Sequence, residues 1–332
     1  MMNLFLVTSP LQYLCALEAK THFQCEQSIL VLISQKSEHG LAQQNALFQP
    51  NEWQHIIQIE RGNRSFSIPS VIKKVKRIIG NSPLSCFFYA EYNAWWTKLL
   101  IRNLPIEKEC YFDDGTLTLL EYSEYITSKK SFYRPRLLQD FLVRSQRCQP
   151  VGRLPQSDNL HLFTFFELPP SHVKIHKNNF SRLKQTYGCA DLYSPNAPIG
   201  FIGQGAVGDK RQKTTEQYLH ELEQLSEHLQ QKILYFPHRT EKQEVTAALK
   251  KADYITYYRN EYPLEIELID KHIQLSALVG MFSTVMFTAR TLYPKMPIYS
   301  LSSTHPNKTF QKRLEEQMQT INVQPLEHLI ST

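Results

Sequence analysis

Glycine is scarce, 11 among 332 residues. That argues against a fold resting on many glycine-rich phosphate loops, and it excludes collagen-like repeats and flexible Gly-rich linkers. The six cysteines, Cys15, Cys25, Cys86, Cys110, Cys148 and Cys189, contain no CxxC pair. Zinc ribbons and thioredoxin-type motifs are therefore excluded. Cys15, Cys86 and Cys110 lie in apolar segments and read as buried, reduced thiols, which favours a cytoplasmic setting. No stretch approaches the ~18 uninterrupted apolar residues of a membrane span. The N-terminus is apolar but lacks a basic leader, and Ser9, Pro10 and Gln12 interrupt it, so a strand and a Pro-initiated helix are expected there, not a signal peptide. Charge is also modest: 37 Lys+Arg against 31 Asp+Glu gives +6. This suits an anionic small substrate or a membrane surface. The basic residues are scattered and no nucleic-acid reader motif occurs, so nucleic acid is not an expected partner.

What is present is globular in character, 42% apolar and 20% charged. At roughly 150 residues per domain, the length predicts two domains. Short apolar, β-rich runs at 4–7, 29–33, 56–59, 85–90 and 109–112 alternate with helical patterns at 10–19, 71–79 and 95–102. After an irregular stretch at 187–198 the rhythm restarts. Strands are expected at 200–203, 233–236, 254–258, 274–278 and 297–301, with helices at 215–230, 241–250 and 264–269, one opened by Ser283, and a last one at 308–318. This βαβα order predicts an α/β fold of two parallel-sheet domains facing across a cleft. The domains expected are 1–190 and 198–305, with 306–332 as a terminal helix packing back across the molecule. In such sheets the loops after the strands carry the chemistry.

Five loops stand out on that rule. Phe112-Asp113-Asp114-Gly115-Thr116 follows a strand. Its carboxylates fit a general base and a neighbour that tunes it, or simply an Asp-Gly turn. Tyr235-Phe236-Pro237-His238-Arg239-Thr240-Glu241 places a histidine and an arginine at a strand end, where a departing phosphate could be met; a capping loop is the plain alternative. Phe282-Ser283-Thr284 offers hydroxyls at a helix start, either an anion site or an ordinary N-cap. Glu265, in the first turn after Pro263, fits a ribose contact or a helix-dipole partner. Phe201-Ile202-Gly203-Gln204-Gly205-Ala206-Val207-Gly208-Asp209 is only loosely like GxGxxG and lacks the distant acidic residue, but it would let backbone approach a nucleotide, with Asp209 as a further base.

Taken together, Asn3-Leu4-Phe5 through Thr8-Ser9-Pro10-Leu11-Gln12, Phe112-Asp113-Asp114-Gly115-Thr116, Phe201-Ile202-Gly203-Gln204, Phe236-Pro237-His238-Arg239 and Phe282-Ser283-Thr284 resemble the bacterial sialyltransferases of glycosyltransferase family 52, the lipooligosaccharide sialyltransferase group. The resemblance implies a GT-B-like fold with an N-terminal acceptor side and a C-terminal donor side. It implies inverting, metal-independent transfer from CMP-N-acetylneuraminic acid to a terminal galactoside, without a cofactor. His238 corresponds to the histidine that assists departure of CMP, protonated in this reading. Ser283 and Thr284 correspond to the hydroxyls beside its phosphate, and Gly203, Gln204, Arg239 and Glu265 fall on the donor side. The base stays open between Asp114, Asp113 and Asp209. A lipid-anchored acceptor, a peripheral contact with the inner face of the cytoplasmic membrane and a homodimer are compatible with it. The basic-apolar segment 71–79 could make that contact, or be a core helix with a solvated basic side. The competing readings are a transferase of the same architecture using a UDP-hexose, and a non-catalytic nucleotide- or glycan-binding protein.

Overall fold

The computed structural model describes residues 1–188, 191–209, 213–301 and 307–327. Cys189 lies outside the described residues. The chain forms two compact units, Met1–Arg182 and Leu183–Thr332. The first runs β1 (Met2–Val7), α1 (Pro10–His22), β2 (Gln27–Ile33), α2 (Glu38–Leu47), β3 (His55–Ile59), α3 (Arg64–Ile79), β4 (Cys86–Tyr89), α4 (Trp95–Asn103), β5 (Glu109–Phe112), α5 (Leu117–Glu121), α6 (Leu137–Ser145), β6 (Leu160–Thr164) and β7 (Lys174–Lys177). Its seven strands are parallel in the order β3-β2-β1-β4-β5-β6-β7. Strands covered on both faces read as continuous apolar runs, as in Leu4–Val7 and Ile29–Ile33. Central β1 is buried from Asn3 onward, and Phe5 stacks on Phe88 with ring centroids 4.4 Å apart. Ser9 caps α1 by accepting from the Gln12 N–H, and Pro10 takes the first helical position, as the sequence led one to expect.

After α7 (Ser181–Tyr187) the second unit runs β8 (Ile199–Ile202), α8 (Thr215–Leu229), β9 (Ile233–Phe236), α9 (Gln243–Leu249), β10 (Ile255–Tyr257), α10 (Leu264–Asp270), β11 (Ala277–Gly280), α11 (Thr284–Leu292), β12 (Ile298–Ser300), α12 (Lys308–Thr320) and β13 (Gln324–Pro325). Its six strands are parallel in the order β10-β9-β8-β11-β12-β13. The helix α12 belongs to this unit: β13 follows it and pairs with β12, and the Arg290 guanidinium donates to the Ile321 carbonyl at its end.

Several elements differ from the sequence reading for visible reasons. The helix α3 begins well before residue 71, although Pro69 lies inside it. Proline removes the N–H that would bond to the Ser65 carbonyl. Gln146, beyond the end of α6, donates to that carbonyl at 2.8 Å instead. The apolar side of α3 (Ile68, Val71, Ile72, Val75, Ile79) is buried in the first core. Segment 71–79 is therefore the core helix of the two alternatives, and it presents no apolar face to a membrane. The helix α2 buries Gln43 and Gln44, and the Gln44 amide both donates to the Ile33 carbonyl and accepts from the Gln35 N–H. A polar residue that replaces backbone partners gives no apolar periodicity to read. The strand β11 starts three residues later than expected, because Ile273 N–H closes the preceding helix and Leu275 bridges to Tyr193. Among the described residues no helix is long and apolar enough to cross a membrane.

Candidate active site

In the first unit, strand order reverses between β1 and β4, and polar side chains collect where β1, β4 and β5 end. Gln12 is buried at the start of α1. Its amide oxygen accepts from the Thr8 N–H at 2.7 Å, and its nitrogen donates to Asp114 Oδ1 at 2.6 Å. The Asp114 N–H donates to Thr118 Oγ1, and Gly115 follows in a left-handed conformation (φ 67°), so this loop is a tight turn as well as a carboxylate site. Thr8 Oγ1 donates to Glu91 Oε1 at 2.8 Å, and Arg61 stands 4.0 Å from the same oxygen. Burial pushes the Glu91 carboxyl up, while Thr8, Arg61 and Arg64 pull it partly back. The loop carrying Glu91 is clamped from below, since the Tyr92 and Asn93 N–H groups both donate to the Glu121 carboxylate. The Arg64 guanidinium covers the Trp96 ring at 3.6 Å.

Asp113 points the other way. It is 0% exposed and accepts from Thr164 Oγ1 at 2.7 Å and from the Phe165 N–H at 2.8 Å, tying the end of β5 to the end of β6. Burial pushes its carboxyl up to about 7. Successive residues leaving a strand face opposite sides. Asp113 is therefore a brace within the sheet, while Asp114, the other candidate of the pair, is held by Gln12.

In the second unit the reversal lies between β8 and β11, and the expected donor-side residues sit at the strand ends there. Gly203 follows β8 and donates its N–H to the Phe236 carbonyl at 2.8 Å; a Cβ there would fall 2.9 Å from that oxygen. A Cβ on Gly205 would fall 2.5 Å from His238 Nδ1. The imidazole is thus seated directly on glycine backbone. The Thr240 N–H donates to His238 Nδ1 at 3.2 Å, with Thr240 Oγ1 2.8 Å away. An N–H can only donate, so Nδ1 accepts and the ring carries its proton on Nε2. Glu241 anchors this loop by accepting from Tyr235, Thr246 and Tyr257 hydroxyls at 2.6, 2.8 and 2.9 Å.

Ser283 caps α11, accepting from the Val285 N–H at 3.3 Å, and Thr284 is the first helical residue. Both are half-buried. The Gln204 main chain bonds to the Tyr218 hydroxyl. Glu265 is only 5% exposed and accepts from Thr288 Oγ1 at 2.9 Å, joining α10 to α11. Burial pushes its carboxyl up, and Thr288 and the charge of Arg239 oppose that. Glu265, expected as a ribose contact or a helix-dipole partner, thus braces α10 against α11. Asp209 is half-exposed and paired with Lys242 at 2.8 Å, so a base there would first have to shed that partner.

The fold thus gathers Asp114 with Gln12 and Thr8 in one unit. In the other it brings Gly205 against His238, and Arg239 near Glu265. Glu91 escaped the sequence reading. Its neighbours form no motif, and the available signal was its position directly after a strand.

No protein-family model and no curated protein matches the chain. Solved structures do. The α/β-galactoside α-2,3-sialyltransferase of the luminous marine bacterium Photobacterium phosphoreum matches at TM-score 0.52 and 14% identity, covering 99% of each chain. The UDP-GlcNAc 2-epimerase of Methanocaldococcus jannaschii, in complex with UDP-GlcNAc and UDP, matches at 0.56 and 11%, covering 100% of this chain and 91% of that one. The Neisseria meningitidis UDP-GlcNAc 2-epimerase bound to UDP-GlcNAc matches at 0.54 and 12%, covering 97% and 91%. At these identities the likeness is one of fold: two parallel-sheet α/β units of the GT-B kind.

Proposed function

We propose that the chain is a sialyltransferase of the lipooligosaccharide group, moving sialic acid from CMP-N-acetylneuraminic acid to a terminal galactoside with inversion. The observation that carries the reading is His238, seated on Gly205 with its Nδ1 accepting from the Thr240 N–H, at the end of β9 next to the strand where the order switches. The second unit takes the nucleotide sugar and the first takes the acceptor. The Asp114 carboxylate receives the proton of the acceptor hydroxyl, whose oxygen bonds to the anomeric carbon. The bond from that carbon to the phosphate oxygen breaks, and CMP leaves with the electron pair. Charge grows on one phosphate, where the Nε2–H of His238 and the hydroxyls of Ser283 and Thr284 donate hydrogen bonds that strengthen in the transition state. Gln12 holds Asp114 in place. Glu91, raised by burial, is a second carboxyl available to the acceptor.

Thermal shift with CMP and with UDP, each with and without Mg²⁺, tests the donor. Stabilisation by CMP without metal, followed by CMP release from CMP-N-acetylneuraminic acid in the presence of lactose, is expected. Metal-dependent stabilisation by UDP alone would move the assignment to a UDP-sugar transferase. CMP affinity with no sugar released would make the protein a binder.

A further inference from the structure

The helix α6 carries an apolar face that the fold does not use. Leu137 is 84% exposed, Leu138 78% and Phe141 70%, and Tyr133 just ahead of the helix is 62% exposed. Positions i, i+1 and i+4 lie on one side of a helix. On the opposite side Val143 is fully buried, and Gln146 ties the helix to Ser65 of α3, so the exposed face is held rigidly outward. Monomeric soluble proteins rarely leave such clusters uncovered without a use.

The charge around it is as uneven. Segment 127–153 contains seven Lys and Arg, among them Arg134, Arg136, Arg144 and Arg147, against the single carboxylate of Asp140. Its net charge of +6 equals that of the whole 332-residue chain. Asp140 itself turns inward to accept from the Arg136 N–H at the helix start. Arg134, Arg144 and Arg147 are exposed.

We infer that α6 and its flanks dock the first unit on an anionic phospholipid bilayer. Leu137, Leu138 and Phe141 enter the headgroup–acyl boundary, and the arginines meet the phosphates. Exposed bulky apolar residues on one face with cations at both ends are the composition of an interfacial helix. Charge selects this occupant. A two-fold pairing of the same face with a second copy would set +6 against +6. The inference locates membrane contact on α6, not on the basic side of α3, and it does not rest on the transferase reading.

Co-sedimentation of the full chain with phosphatidylglycerol-rich vesicles and with pure phosphatidylcholine vesicles, without donor or acceptor, tests it. The wild type should pellet with the anionic vesicles only. Replacing Leu137, Leu138 and Phe141 together by Ser should lower the partition coefficient about 100-fold. Replacing Arg134, Arg136 and Arg144 by Gln should lower it by a similar factor, at roughly fivefold per cation removed. Because the substituted apolar side chains are exposed, folding is not at stake; a Phe141→Trp variant should show a blue-shifted emission on anionic vesicles. Equal pelleting of wild type and the Ser variant would overturn the inference. So would a wild-type dimer in sedimentation velocity that the Ser variant abolishes while neither protein binds vesicles.

Discussion

Asp113→Asn separates the two adjacent carboxylates by stability, not activity. Asp113 is fully buried, and its carboxyl is raised from 3.8 to about 7. Between roughly pH 4 and 7 the native state therefore holds a proton that the unfolded chain has released. Stability from this group is present at low pH and is lost as pH rises through about 7. The gap between the two values corresponds to roughly 4 kcal/mol across the window. The asparagine variant cannot titrate. Its amide keeps the Thr164 bond but turns an NH₂ toward the Phe165 N–H, at a cost of about 1–3 kcal/mol. Above pH 7, relief of the buried charge offsets that cost. The variant should lie near wild type at pH 8 and fall behind it progressively toward pH 5, approaching about 1.4 kcal/mol per pH unit. Urea unfolding followed by tryptophan fluorescence reports the right unit, because Trp53, Trp95 and Trp96, the chain's three tryptophans, all lie within Met1–Arg182. A wild-type-minus-variant difference that stays constant from pH 8 to pH 5 would refute the reasoning.

The other predictions concern turnover and the loops that set it. Asp114→Asn should lower kcat by about 100-fold or more with little change in melting temperature, and Gln12→Ala, which frees Asp114 and also removes the acceptor of the Thr8 N–H, by about tenfold; undiminished CMP release from either variant counts against the assigned base. His238→Ala should cost roughly 100-fold in kcat, and a wild-type rate would remove it from the site. Gly205→Ala should approach the His238→Ala rate, since the added methyl displaces the ring; full activity would show that the seat does not matter. Ser283→Ala removes the cap of α11 and should cost about 0.5–2 kcal/mol of stability, read as a lower urea midpoint by far-ultraviolet circular dichroism.

Much of the architecture is local and therefore readable. Parallel strands sandwiched between helices must be apolar on both faces, so Leu4–Val7 and Ile233–Phe236 stand out from their polar surroundings, and Ser9-Pro10 announces the helix that follows. Where the chain satisfies its backbone with buried amides, as Gln44 does in α2, the pattern vanishes. The long segment between β5 and β6 was unreadable for another reason. The apolar residues of α6 point outward, so the rule that apolar means buried fails there.

The sequence by itself determined the two βαβ runs, the strand ends at which chemistry can occur, and the residue types offered at those ends. Tertiary structure decided how each of them is buried and held. Asp113 and Asp114 are neighbours of one kind, yet one is sealed against Thr164 and the other is held by Gln12, 102 positions away. Glu91 is bonded to Thr8, 83 positions away, and Glu265 is tied to Thr288 on the next helix. A carboxylate's reactivity depends on its burial and its partners, and those are set by which distant strand ends the parallel sheet brings side by side.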